Sequence, residues 1–372
     1  MREAAAPADA LHVVSDALPL SVIVSTRDSS RTLRESLASV RASALPAGSY
    51  ELIVVDDAST DGSVATAARF ADTVIRLTRP SGPAYARNRG GEIARGEVLA
   101  FVDADVLVQP DTFARMLATL DGRPDIHAVS ASHDERSGPE NFVSQYWNLL
   151  LRFGEEQNAG RCAQFATGCG AIRRDAFLAA GMYDEWRFGS ACLENAELGG
   201  RLRQGGHGVL LSADLKVGSL RRWSLRSVCG EVWGRGRVLA RSLGYVRMSV
   251  AVPSEVVFTL TRKMTPAIAL LGTLSLAAAF VPGADIATKA GVVLAVLFLT
   301  NLPVHRFYAR TRGIGFAAAS VPLHIVAQIV AGMALCTGWM LREVFGDPSP
   351  DATTQAYSEV GLETWPPVPR RT

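Results

Sequence analysis

The chain lacks the cysteine spacing of a disulfide or zinc framework. Its five cysteines, Cys162, Cys169, Cys192, Cys229 and Cys336, are scattered with no Cys-x-x-Cys pair, the pattern of reduced or buried thiols. It also lacks an excess of one charge: a formal net charge of +2 over 372 residues excludes the strongly basic balance of a nucleic-acid-binding domain. The first nineteen residues are rich in Ala and Asp and hold no long apolar core, so they read as a loose tail rather than a secretory signal. Charges crowd the first two thirds of the chain, whereas residues 266–343 are apolar enough to suggest membrane spans.

What is present begins near Leu20. Ser21-Val22-Ile23-Val24-Ser25 reads as a buried strand, and Leu33, Leu37 and Val40 then recur at helical spacing. Leu52-Ile53-Val54-Val55 repeats the strand and ends on Asp56-Asp57, followed by Ser59-Thr60-Asp61-Gly62, which suits a turn and a helix cap. A weaker strand covers Thr73 to Leu77, and a helix follows through Ala84 to Asn88. The run Val98-Leu99-Ala100-Phe101-Val102 then stops on Asp103-Ala104-Asp105. Strands alternating with helices imply a largely parallel, doubly wound sheet, whose ligands gather beyond the carboxyl ends of its strands. Two carboxylates this close repel unless a cation lies between them, and a hard divalent ion carrying phosphate oxygens meets that need.

In order and spacing, Val22 to Ser25, Val54 to Gly62, Gly82-Pro83-Ala84-Tyr85-Ala86-Arg87-Asn88 and Phe101 to Asp105 resemble family 2 glycosyltransferases of GT-A fold, over residues 20–225. The resemblance implies an α/β fold class: a GT-A type doubly wound, mostly parallel sheet, followed by a C-terminal transmembrane helical region. It gives Ser25 and Asp57 to the nucleotide base, with Asp56 supporting the same strand end, and Arg87 to the base or diphosphate. Asp105 would bind Mg2+ or Mn2+, and Asp103 would reach the ribose or share the metal, so that the cation neutralises the departing diphosphate. Ala166 to Arg174, with Gly168 and Cys169, resembles the strand and loop beneath the acceptor, and Arg222 and Trp223 belong to the acceptor side. Gly168-Cys169-Gly170 lacks the third glycine of a dinucleotide fingerprint and comes too late in the chain for one.

Two positions depart from the family pattern. Family members carry Glu-Asp where this chain has Glu194-Asn195, and the Asp is the general base; an amide accepts no proton near neutral pH. Ser219 stands where related sequences place a metal-binding His, and processive synthases place Gln in Gln-x-x-Arg-Trp. Three readings follow: Glu194 or Glu197, three residues apart on one helix, acts as the base; positioning alone sustains slow transfer; or the domain is a nucleotide-sugar-binding pseudoenzyme.

From Trp223 the composition changes. Arg221, Arg222, Arg226, Arg235, Arg237, Arg241 and Arg247 interleave with apolar residues, suiting amphipathic helices on an anionic membrane surface, while Gly234 and Gly236 weaken the case for one continuous helix. The expected organisation is a tail (1–19), a transferase domain (20–225), a basic interfacial segment (226–265), three transmembrane helices (266–343) and a Pro-rich tail (344–372). The spans are Pro266 to Val281, Ile286 to Val304 and Ile314 to Met340, and flanking cations place the transferase domain on the cytoplasmic side of a multi-pass cell-membrane protein. A single-addition transferase acting on a membrane-associated, possibly lipid-linked acceptor fits that location. His324 and Gln328 share one face of the third span and suit hydrogen bonding between helices.

Overall fold

The computed structural model describes residues 18–134, 138–162, 165, 168–185, 193–249 and 285–346. The expected first span, most of the N-terminal tail and the C-terminal tail after residue 346 lie outside the described residues.

The alternation read from the sequence is found as β1 (Leu18–Thr26), α1 (Leu33–Arg41), β2 (Tyr50–Asp56), α2 (Ser63–Ala67), β3 (Thr73–Arg76), α3 (Pro83–Ile93) and β4 (Gly96–Asp103). β5 (Val106–Val108), α4 (Thr112–Gly122), β6 (Ile126–His133), α5 (Phe142–Glu156), β7 (Gly160–Arg161), β8 (Cys169–Arg173), α6 (Arg174–Ala179), α7 (Glu194–Gln204) and β9 (Gly208–Ser219) complete the sheet and its cover. The strand order is β3-β2-β1-β4-β8-β6-β9-β5, with β7 added beside β9. β3, β2, β1 and β4 are mutually parallel, as the alternation predicts. Beyond β4 the sheet is mixed: β8 runs antiparallel to both β4 and β6, while β6 and β9 are parallel.

Side chains alternate across the first strands and build a core on each face. Leu20, Val22 and Val24 of β1 join Leu33, Leu37 and Val40 of α1 and Phe113, Met116 and Leu120 of α4. On the other face Ile23, Ile53, Val55 and Phe101 meet Ala84 and Ala86 of α3, Phe177 of α6 and Leu198 and Leu202 of α7. Each such fully buried aliphatic or aromatic side chain contributes about 1.5–3 kcal/mol. α3 lies close on the sheet because Gly90 leaves room: a β-carbon there would stand 2.5 Å from Ile23 Cγ2. That close approach carries Arg87, one turn earlier, to the ends of the parallel strands.

The C-terminal helices are α8 (Leu225–Ser249), α9 (Ile286–Thr300), α10 (Leu302–Arg312) and α11 (Ile314–Phe345). α8 is one continuous helix despite Gly234 and Gly236. Its continuity has a packing reason, since Gly236 sits against Ala334 of α11, and Gly338 of α11 sits against Ala240. Among the described residues one helix, α11, is long and apolar enough to cross a membrane. The second expected span is broken at Asn301, whose Nδ2 donates to the Leu297 carbonyl (2.8 Å), with Pro303 opening the next helix. At 15 residues α9 reaches only about 22 Å, short of a hydrocarbon core of about 30 Å. α10 instead buries Val304 and Tyr308 against Tyr146, Trp147 and Trp223, docking the C-terminal helices onto α5. His324 does bond between helices: its Nδ1 meets the Tyr146 hydroxyl of α5 at 2.9 Å and its Nε2 meets Asn301 Oδ1 at 3.0 Å.

Candidate active site

The carboxyl ends of β1, β2 and β4 form one edge. Ser25 stands between Val55 on β2 and Asp103 on β4, and Thr26 pairs with Asp56. Asp56 is fully buried, accepting the Ser59 N–H at 3.1 Å, with Arg76 4.0 Å away. Asp57 is also buried and accepts two backbone donors, Ser81 N–H at 2.6 Å and Gly82 N–H at 2.9 Å. Gly82 is the N-cap of α3 with φ at 92°, so Asp57 ties the amide end of that helix to the end of β2 and places its negative charge against the helix dipole.

β4 ends at Asp103, and Ala104-Asp105 turn the chain into β5. Asp103 is partly open, and its Oδ1 accepts from Arg87 Nη2 at 2.8 Å. The Arg87 guanidinium is buried and also donates through Nη1 to Glu194 Oε1 at 3.1 Å. Burial opposes the arginine's charge, and Asp103 foremost more than restores it, so its pKa is raised. Its guanidinium carbon also lies over the Tyr183 ring, 5.4 Å from the centroid. Among the described residues no cation forms an ion pair with Asp105. Its carboxyl is pushed up to about 6, by burial first and by the Asp103 carboxylate second, against weaker opposing pulls from Arg221 and His133. This edge therefore holds an acid whose charge is poorly compensated.

The two glutamates of α7 are both buried but occupied differently. Glu194 joins Arg87, whereas Glu197 takes Arg201 with both oxygens at 2.6 Å. Arg201 in turn donates to the Ala180 and Met182 carbonyls, which fixes the turn before Tyr183. Asn195 Oδ1 is buried and has no hydrogen-bond partner among the described residues. Asn88 clamps the neighbouring segment by exchanging hydrogen bonds with the Tyr183 backbone at 2.9 and 3.0 Å and donating to Glu185.

The acceptor-side residues are spread out. Gly168, with φ at 89°, accepts the Asp103 N–H through its carbonyl at 2.8 Å and so holds the end of β4. Cys169 points into the core with Val102 and Ala171, and burial pushes its thiol far up, which leaves it inert. Trp223 is buried on Trp147, its N–H on Ser144 Oγ at 2.7 Å and its carbonyl on Asn141. Arg222 is exposed.

Residues 21–180 match the family model described as glycosyl transferase family 2. That stretch, residues 21–180 of 372, is similar to this family. The uncharacterized glycosyltransferase YibD of Escherichia coli is 38% identical to the chain over 122 residues, covering 31% of this chain and 34% of YibD. The glucosyl-dolichyl phosphate glucuronosyltransferase of Haloferax volcanii is 29% identical over 110 residues, 28% of this chain and 34% of that protein. The chain thus spans about a third of the length of these curated relatives. The mannosyltransferase PcManGT of Pyrobaculum calidifontis, solved with GDP-Man and Mn2+, shares the fold with a TM-score of 0.60 at 21% identity, over 82% of this chain and 87% of that one.

The pairs that organise the site were not visible in the sequence. Arg87 and Glu194 are 107 residues apart, and His133 and Glu155 are 22 apart on different elements. Two signals were there to be used: an apolar strand ending on His133, and Glu155 at the close of an otherwise apolar helix face.

Proposed function

We propose that the chain transfers a single sugar, with inversion, from a nucleoside-diphosphate sugar to a membrane-associated, lipid-linked acceptor. The observation that carries the reading is the pair Asp103 and Asp105 at the carboxyl edge of the parallel strands, one of them under-compensated. Among the described residues no three His, Cys, Asp or Glu side chains gather closely enough to hold a metal ion. Two hard carboxylates completed by phosphate oxygens and water are nonetheless the donor set that Mg2+ or Mn2+ accepts, so the residues fit such an ion. Bound there, it would offset the charge that develops on the diphosphate.

In this reading residues 20–225 are the transferase unit. Ser25 and Asp57 face the nucleotide base, and Arg87 fixes Asp103 and Glu194 in one frame. Asn195 Oδ1, which has no partner among the described residues, accepts a hydrogen bond from the acceptor hydroxyl and orients it. Glu194 then takes the hydroxyl proton: Arg87 engages its Oε1, whereas Arg201 engages both oxygens of Glu197. Replacing Glu194 with Gln lowers turnover by about 10²–10⁴-fold with little change in donor KM. Glu197→Gln lowers the melting temperature instead and leaves the folded enzyme's turnover near that of the parent. Steady-state rates and thermal melts of both variants check this, and a Glu194→Gln enzyme as fast as the parent would remove Glu194 as the base.

Membrane attachment rests on the outer face of α11, where Met333, Trp339, Met340, Val344 and Phe345 are exposed. The transferase domain lies on the cytoplasmic side, where nucleotide sugars are found and where Arg306, Arg310 and Arg312 precede the span.

A further inference from the structure

One buried pair at this edge has no part in the mechanism above. His133 ends β6 and is bonded twice to Glu155 of α5: its backbone N–H donates to Oε2 at 2.8 Å and its Nδ1 meets Oε1 at 2.7 Å. Imidazole and carboxylate are both largely buried. A carboxylate on Nδ1 fixes the ring's orientation and turns Nε2 the opposite way. No described group hydrogen-bonds Nε2.

Where Nε2 points is set by Gly168. A β-carbon on Gly168 would lie 3.8 Å from Nε2 and 3.2 Å from Val106 Cγ2. Gly168 holds the Asp103 N–H, Val106 pairs with Ser219, and the Asp105 carbonyl accepts the Leu220 N–H at 2.7 Å. His133 therefore opens onto the flank formed by Asp103, Asp105 and Ser219. Glu194 reaches Asp103 from a different element, through Arg87. In an in-line displacement the attacking hydroxyl and the leaving group lie on opposite sides of the anomeric carbon. A group on the Asp105 flank is therefore placed for the leaving diphosphate and not for the hydroxyl proton.

We infer that His133, held by Glu155, binds the β-phosphate of the leaving nucleoside diphosphate through Nε2–H. The inference rests on the transferase reading above. As the bond from the anomeric carbon to the phosphate oxygen breaks, its electron pair goes to that oxygen, while the acceptor oxygen bonds the carbon and its proton goes to Glu194. Nε2–H hydrogen-bonds the phosphate and transfers nothing. With Nδ1–H given to Glu155, a ring that also donates from Nε2 is the imidazolium; burial opposes that charge and the Glu155 carboxylate more than restores it. The imidazolium thereby supplies positive charge from β6 on the flank that holds Ser219. Glu155 is a positioning residue.

The test is calorimetric titration of the full chain in detergent, with Mn2+ saturating, using UDP against UMP and GDP against GMP. The parent binds one diphosphate more tightly than its monophosphate. His133→Ala loses about tenfold or more in affinity for that diphosphate and less than twofold for the monophosphate. Glu155→Gln shows the same selectivity with a smaller loss, which a purely structural role would not produce. Should His133→Ala fail to fold around an unpaired Glu155, the neutral, similarly sized pair His133→Gln with Glu155→Gln carries the comparison. Mn2+ affinity without nucleotide, read by electron paramagnetic resonance, stays within twofold in all variants. Equal losses on mono- and diphosphate, no loss on the diphosphate, or a lost Mn2+ affinity each overturn the inference. A parent that binds neither UDP nor GDP overturns the transferase reading, and the inference with it.

Discussion

Asp105→Ala abolishes transfer while leaving the fold at least as stable as the parent. Those opposite signs mark a residue kept for function. In the metal-free chain the Asp105 carboxyl sits at about 6, raised first by burial and then by the Asp103 carboxylate. An acid raised on folding destabilises the folded state once the pH passes its unfolded value of about 4 and climbs through 6. At pH 7.5 alanine removes that cost, so the melting temperature without metal holds or rises. Turnover falls about a thousandfold, the scale on which lost charge stabilisation at a leaving group is felt. A thermal melt and a rate assay on one preparation read both. A variant that melts well below the parent would make Asp105 a structural acid.

Arg87→Ala gives the opposite pattern, a large loss of stability. Its guanidinium pairs with both Asp103 and buried Glu194, and it lies over the Tyr183 ring. Removing one partner of a buried ion pair leaves an uncompensated charge and costs about 3–5 kcal/mol. For a domain of this size that lowers the melting temperature by about 10 °C. Adding Glu194→Gln to Arg87→Ala recovers part of the loss, because the stranded charge is gone, whereas independent contributions would make the double variant the worst of the set. Chemical denaturation of the two single variants and the double measures the coupling.

The contrast between these residues shows what could be read from the chain. Asp103 and Asp105 were legible because a strand that ends on acid is a local pattern, and local patterns survive in sequence. The parallel half of the sheet was legible for the same reason: β1, β2 and β4 each announce themselves as short apolar runs. Asp57 was legible as a strand-end acid, but its two backbone partners, Ser81 and Gly82, are set by how α3 docks. Arg87 read as a cation near the ligand, yet its partner Glu194 arrives only when α7 packs on the sheet. The mixed half of the sheet hid most. β8 enters between β4 and β6 antiparallel, and that insertion, visible in no periodicity, brings Gly168 to Asp103 and to His133. At the C-terminus the apolar run through Val304 read as a span, but Asn301 and Pro303 divide it, and the second piece packs on α5. Hydropathy records how apolar a segment is and not which surface covers it.

Turnover of a panel of UDP- and GDP-sugars by the full chain in membranes, with Mn2+ and with chelator, tests whether the proposed sugar transfer proceeds with Asn195 and Ser219 at the two positions that depart from the family pattern. The expected result is metal-dependent release of the nucleoside diphosphate coupled to a sugar on a membrane lipid, absent in Asp105→Ala. Tight donor binding without release in the parent, with release appearing in Asn195→Asp, would contradict it and mark a nucleotide-sugar-binding protein that has lost its chemistry.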